Sequence, residues 1–415
     1  MQTKRLRAVV IRLRTRSELI FAALIVILGL ARGLHFEISL WTLRPDGFSI
    51  ISDRLPYWDF TNLWAGTLMA LKGNVAHLFD VEAYRQELRV LLSPLLPNQE
   101  WSYPPSMLLI GIPFAGLPIF AAYLFWTLGT LFLLFLATKS LDLTWWARML
   151  IIVSPAAVMD AIFGQNGALT TALLLSGLLL APGRPIIAGI LFGLLTVKPQ
   201  LGILVPFCLL ASGNYRAILS AGVTTLLLVI ATGLLFGFDV WRLFLTETRP
   251  LMTAILEAPY PQGYQVNAMT FFMLARSLGL GLAASYSFQA VFSVAAIAAT
   301  LWLWRGRTTV DHPTKVCLTV VLTLVAMPYG YSYDTIPISV AIAYFFFNYR
   351  SSLVFLGIAW LYPLFNHQVA GQLVSLGVLI PAGLAAWMLT HILRDGRSRG
   401  METTFAAEEP RLTAS

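Results

Sequence analysis

Apolar residues come in runs long enough to cross a bilayer, parted by short polar stretches, from residue 17 almost to the C-terminus. A crossing helix needs about 20 apolar residues at a rise of about 1.5 Å each. The first such run covers 17–38 and leads into a polar segment, 41–104, that holds Asp46, Asp53, Asp59, Asp80, Glu82, Glu87 and Glu100. The next, 106–138, is too long for one straight crossing and short for two. Pro113 and Pro118 interrupt it, which predicts a kinked lead-in followed by one crossing that ends at Lys139. Crossings over 148–163 and 168–180 follow, joined by Gly164-Gln165-Asn166-Gly167. Two apolar halves, 186–197 and 201–211, are then separated by Lys198-Pro199-Gln200. Each half reaches only roughly 18 Å, so the Lys-Pro tip is expected to stop short of the far water and sit in a protein-lined cavity. A run over 217–236, a second polar segment at 238–284, and runs over 286–303, 315–328, 335–349, 352–366 and 369–393 complete the pattern. The prediction is an all-α polytopic membrane protein with about twelve crossings. It has a single domain over 1–400, a large first outer loop carrying amphipathic helices, and a disordered polar tail at 401–415. No linker divides the chain, and inverted halves of the kind common in transporters are not evident.

Composition agrees, since 58% hydrophobic and 12% charged residues with a mean hydropathy of +0.75 lie outside the soluble range. Cys208 and Cys317 each stand inside an apolar run and read as packed thiols. A net charge of +8 would suggest nucleic acid in a soluble chain, but here it marks orientation. Lys4, Arg5, Arg7, Arg12, Arg14 and Arg16 precede the first run. Lys139, Arg184, Arg216, Arg305, Arg307, Arg350, Arg394, Arg397 and Arg399 fall on alternate loops and at the C-terminal end. The positive-inside rule then puts both termini in the cytoplasm of a bacterial inner membrane, with 41–104 and 238–284 periplasmic. The first run is long and lacks a small-x-small cleavage site, so it is expected to stay as an anchor.

This topology gathers Asp59, Tyr103, Gln165, Asn166, Lys198, Tyr333, Asp334 and His367 on the outer face. Each has a plain reading as well. Asp59 fits an N-cap for a helix beginning near Phe60, and Asp334 fits a cap for the run after it. Lys198 fits a snorkelling side chain or the counter-ion of one acid, Gln165-Asn166-Gly167 a simple turn, and His367 an interfacial residue. Ionisable groups at membrane depth are costly, however, which makes Lys198 a functional candidate. A cation at a cavity mouth, an acid on an outer loop and aromatic walls together suit a lipid phosphate bearing a sugar. The cation would hold the departing phosphate while the carboxylate takes a proton from the incoming hydroxyl. Tyr57, Trp58, Trp101 and Tyr103 are suited to stack on sugar faces.

The sequence resembles glycosyltransferase family 87 of the GT-C fold, which includes polyprenol-phosphate-mannose-dependent mannosyltransferases and was long a domain of unknown function. The resemblance rests on "DF" at Asp59-Phe60, "YPP" at 103–105, "GQNG" at 164–167, "KP" at Lys198-Pro199 after "AGILFGL" at 188–194, and "YDTIP" at 333–337. It implies an inverting single displacement in which a polyprenyl-phosphate monosaccharide, plausibly of mannose or another hexose, donates to a lipid or glycan acceptor. On that pattern Asp59 is the general base, and Lys198, with Gln165 and Asn166, binds the donor phosphate. Tyr57, Trp58, Asn62, Trp101, Tyr103, Tyr333, Asp334 and, more weakly carried, His367 line the cavity. Other GT-C enzymes show a paired acid in this loop, whereas Phe60 follows Asp59 here, so no metal and no cofactor is expected. A flippase or transporter of lipid-linked sugars, or an O-antigen ligase or polymerase, is the competing reading. The acid placed just after the first crossing favours transfer chemistry.

Overall fold

The computed structural model describes residues 16–306, 310–349, 352–372 and 374–408. The orientation signals at Lys4, Arg5, Arg7, Arg12, Arg14, Arg307 and Arg350, and residues 409–415, lie outside the described residues. Among the described residues every regular element is helical. The β geometry is confined to two isolated bridges, Leu43 with Ser49 and Ala268 with Tyr331.

Helix α1 (Arg16–Ser39) is followed by α2 (Trp58–Leu71), a 3₁₀ turn (Val75–Phe79) and α3 (Val81–Leu91). Asp80 starts α3 by accepting the Glu82 and Ala83 N–H groups at 3.0 and 2.9 Å, which satisfies donors that a helix N-terminus leaves free. Phe48, Trp58, Met69, Tyr84, Leu88 and Trp101 form a core inside this polar segment. The run 106–138 divides at Gly116–Pro118 into a short α4 (Met107–Ala115), which packs on α2, and α5 (Ile119–Ala137). One helix of crossing length thus follows a short lead-in; the break falls at Pro118, which denies the backbone N–H that a continuous helix needs, whereas Pro113 is carried inside α4.

Helices α6 (Trp145–Ile152) and α7 (Pro155–Phe163) meet at 45°, and α8 (Gly167–Leu180) follows. The next run is broken as its sequence suggests: α9 (Pro185–Leu194) and α10 (Val205–Ala211) are parted by 3₁₀ turns on either side of Lys198. After α11 (Tyr215–Phe236), the second polar segment holds α12 (Asp239–Leu243), a π-helical turn (Phe244–Thr248), α13 (Arg249–Glu257) and α14 (Phe271–Ser277). The last third comprises α15 (Leu282–Trp304), α16 (His312–Ala326), α17 (Ile336–Asn348), α18 (Leu353–Leu361), α19 (Asn366–Gln372) and α20 (Leu379–Glu408). Helix α20 continues past Gly400 into the segment expected to be a disordered tail.

Among the described residues four helices are long and apolar enough to span a membrane, namely Glu18–Ser39, Ile119–Leu141, Tyr215–Phe236 and Leu282–Trp304. Counting each of two bent pairs, α6–α7 and Leu353–Leu364 with Asn366–Gln372, as one span makes six. Twelve crossings would require shorter apolar helices such as α8 and α16 to cross as well. The long spans carry exposed apolar faces, for example Leu28, Leu226 and Val291, which suit lipid contact. Helices α16 and α17 are instead buried on all sides in the main core. Their loops are therefore held against the protein's own interior.

Candidate functional site

Five breaks in helical structure bring their side chains together. They are the first turn of α2 (Asp59), the residue run before α4 (Tyr103), the α7–α8 turn, the break at Lys198, and the 329–334 link between α16 and α17. Each is a place where backbone geometry frees a side chain from a helix wall.

Asp59 is the second residue of α2. The N-cap is Tyr57, and no side chain caps this helix, so the cap reading does not hold and the Asp59 carboxyl is not spent on the helix N-terminus. Burial pushes the Asp59 carboxyl up to about 6, opposed by a hydrogen bond from Gln165 and by the charges of Arg54 and Lys198. The Tyr103 phenol lies close enough to sense Asp59, Tyr329, Asp334 and Asp160. Burial, followed by the Asp59 charge, holds it well above the ordinary tyrosine range, so it stays a neutral O–H donor.

The α7–α8 turn is built around two glycines. Gly164 has φ +66 and ends α7 in the left-handed region, and a Cβ there would lie 2.6 Å from the Phe60 Cβ. Asp160, on α7, reaches forward so that Oδ1 accepts the Gly167 N–H at 2.6 Å and Oδ2 the Ala168 N–H at 3.2 Å. An acid of the preceding helix thus satisfies the N-terminus of α8. Asn166, which stands at the cap position, makes no side-chain cap bond. Its side chain is left free to turn inward. The Gln165 carbonyl oxygen is meanwhile fixed by the Trp126 indole N–H at 3.0 Å.

Lys198, 9% exposed, donates from Nζ to Asn166 Oδ1 at 3.0 Å and to Asp334 Oδ1 at 2.5 Å. The ammonium also lies 5.2 Å from the centre of the Tyr333 ring, within cation–π range. Asp334 accepts the Tyr331 N–H on its other oxygen at 3.1 Å, so it both caps the link and pairs the lysine. The counter-ion reading of Lys198 is therefore seen directly. The Asn166 Nδ2 is buried without a partner, an amide donor aimed at nothing within the protein.

The remaining sequence candidates divide. Tyr57, next to Asp59, sits in an aromatic group with Tyr123 at 5.3 Å and Trp41 and Phe120 at 6.3 Å. Trp58 belongs to the loop core beneath the Arg54 guanidinium, 4.8 Å away. Asn62 ties the loop together, donating to the Glu100 carbonyl at 2.8 Å and accepting the Tyr84 hydroxyl. Trp101 is 1% exposed and meets Tyr103 edge-on at 5.4 Å. Trp58, Asn62 and Trp101 thus support the site from behind. His367 is exposed on α19 and makes no polar contact with this cluster. Its helix is anchored elsewhere, through the Asn366 amide on Val266 O at 3.1 Å and the Tyr260 hydroxyl on Ala370 O at 2.7 Å.

Asp160 was not among the sequence candidates. The signal was its isolation as an acid in the apolar stretch "VMDAIF", where an unpaired charge would be costly. Among the described residues no three His, Cys, Asp or Glu side chains are grouped so as to hold a metal ion. The cluster offers the Asp59 carboxyl, raised to about 6 by burial, one ammonium and one unpartnered amide. Such a set can accept a proton at one point and hold an anion at another.

The model of a family described as glycosyltransferase family 87 matches residues 101–328, more than half of the chain. The match includes Tyr103, Asp160, Gln165, Asn166 and Lys198, and leaves Asp59 and Asp334 on either side of it. No curated protein and no solved structure matches.

Proposed function

Because the chain belongs to glycosyltransferase family 87, we propose that it moves a hexose such as mannose from a polyprenyl-phosphate carrier to a lipid or glycan acceptor, with inversion at the transferred carbon. In this reading the chain has the GT-C fold with about twelve crossings. It lies in a bacterial inner membrane with both termini cytoplasmic, and its site faces the periplasm. Asp59 takes the proton of the acceptor hydroxyl as that oxygen bonds to the anomeric carbon. The bond from that carbon to the phosphate oxygen breaks, and its electrons leave with the phosphate. Lys198 and the Asn166 amide hold the charge that develops there, as prepositioned donors do best. The Tyr103 hydroxyl and the Tyr57 ring bound the sugar. Neither metal nor cofactor takes part, so transfer should persist in EDTA.

The observation that carries this reading is the joining of Asp59 with Lys198 and Gln165 in one electrostatic cluster. A carboxyl raised to about 6 lies within the electrostatic reach of a buried cation that is paired with Asp334. The test is transfer from a radiolabelled polyprenyl-phosphate hexose by purified wild type and Asp59→Asn. The Asn variant is expected to bind donor and to lose at least about a hundredfold in turnover, the lower range for general-base catalysis. Full turnover by Asp59→Asn would remove the base assignment.

A further inference from the structure

A groove of ≈ 790 Å³ lies between the first and second polar segments, outside the cluster described above. Its volume falls in the roughly 300–1,000 Å³ range of small-ligand sites. One wall is the 3₁₀ turn and the start of α3, and the other is the π-helical turn with α13. Its lining carries Asp80, Glu82, Glu100 and Glu247 and no lysine or arginine. Two of these acids are shared with cations on α3: Glu100 with Arg85, and Glu82 with Arg85 and Arg89 at 4.0 and 3.9 Å. Asp80 caps α3. Glu247 is exposed and has no partner among the described residues. It is carried on a π turn, a distortion that recurs at functional sites.

The second observation is a buried donor. Trp101 lines this groove at 1% exposure, and its indole N–H has no hydrogen-bond partner. Gly66 faces the six-membered edge of that ring, so the N–H edge is turned away from α2. Burying an indole N–H without a partner is unfavourable, and a ligand oxygen in the groove would satisfy it. The groove is linked to the reactive cluster through the loop core that stands behind it. Tyr84 lines it and donates to Asn62, which lies one turn beyond Asp59 on the same helix.

We infer that this groove is the acceptor subsite and that it takes an uncharged, hydroxyl-rich sugar chain rather than a phosphate-bearing headgroup. The inference rests on the glycosyltransferase reading above and deepens it. Carboxylates accept strong hydrogen bonds from sugar hydroxyls, and the indole N–H donates to a ring or hydroxyl oxygen. The same carboxylates repel phosphate, so the two substrates are sorted by charge: the anionic donor to Lys198 and the neutral acceptor to the groove.

Saturation-transfer NMR on the purified full-length protein, without donor, tests this with α-mannobiose and a phosphorylated mannobiose as probes. The neutral disaccharide is expected to bind and the phosphorylated one to bind at least about tenfold more weakly. Glu247→Lys, a change at an exposed position, should weaken the neutral probe by a similar factor, the scale of one charge-assisted hydrogen bond. In transfer assays Glu247→Gln should raise KM for acceptor and leave KM for donor unchanged. Tighter binding of the phosphorylated probe, or undiminished binding of the neutral one by Glu247→Lys, would overturn the assignment. Full turnover by Asp59→Asn would sink the base assignment while leaving disaccharide binding intact, so the two failures are read separately.

Discussion

Asp59 is pulled in two directions: burial raises its affinity for a proton to about 6, while Gln165, Arg54 and Lys198 lower it. Only the deprotonated form can act as a base. The kcat/KM for transfer should therefore fall about tenfold per pH unit below about pH 6 and level off above it. Lys198 favours the carboxylate, so Lys198→Met should move this limb to higher pH at saturating donor. A profile that is flat between about pH 5 and 7 would exclude Asp59 as the titrating group. At this scale much of the site was legible, because Gln165, Asn166, Lys198 and Asp334 are polar residues at the ends of apolar runs and Asp59 is an acid set among aromatics in the first polar segment. Asp160 was hidden by lying within a run. Trp58, Asn62 and Trp101 share the neighbourhood of Asp59, but which face of α2 or of its loop they occupy depends on packing, which adjacency in sequence does not reveal.

The α7–α8 turn shows how one element sets the position of another. Gly167 has ordinary helical backbone, but a Cβ there would run into the Tyr333 carbonyl oxygen and the Asp160 carboxylate. A backbone oxygen cannot rotate aside, so Gly167→Ala should push the 329–334 link away from Lys198. The expected result is a destabilisation of about 1–3 kcal/mol, read as a lowered Tm in detergent, together with slower transfer. Wild-type turnover by this variant would show that the close approach is dispensable. The helix break at Lys198 was legible from Lys198-Pro199-Gln200, since proline and charge both oppose a continuous apolar helix. The turns around it, and the packing of α4 on α2, were not. They depend on tertiary contacts that a single run of sequence does not specify.

For the whole molecule, the sidedness of the polar segments decides which face the chemistry serves. Cys208 and Cys317 are both buried, so introduced thiols can be read against a quiet background. Glu82→Cys and Glu247→Cys should react with an impermeant maleimide on intact cells, and Arg184→Cys and Tyr215→Cys only after permeabilisation. The reverse pattern would place the site in the cytoplasm. All four positions are exposed, so access alone sets the outcome. The ion pair between Lys198 and Asp334 has a consequence of another kind, in time. The two residues are 136 positions apart. At about 5–20 residues per second of synthesis, roughly 7–27 s separate their emergence from the ribosome. Throughout that interval the broken helix carries an ammonium whose carboxylate does not yet exist. The amino-terminal helices must hold that charge near water or against Asn166 until the 329–334 link arrives. The last third of the chain thus closes, from a distance, a helical hairpin that was made well before it.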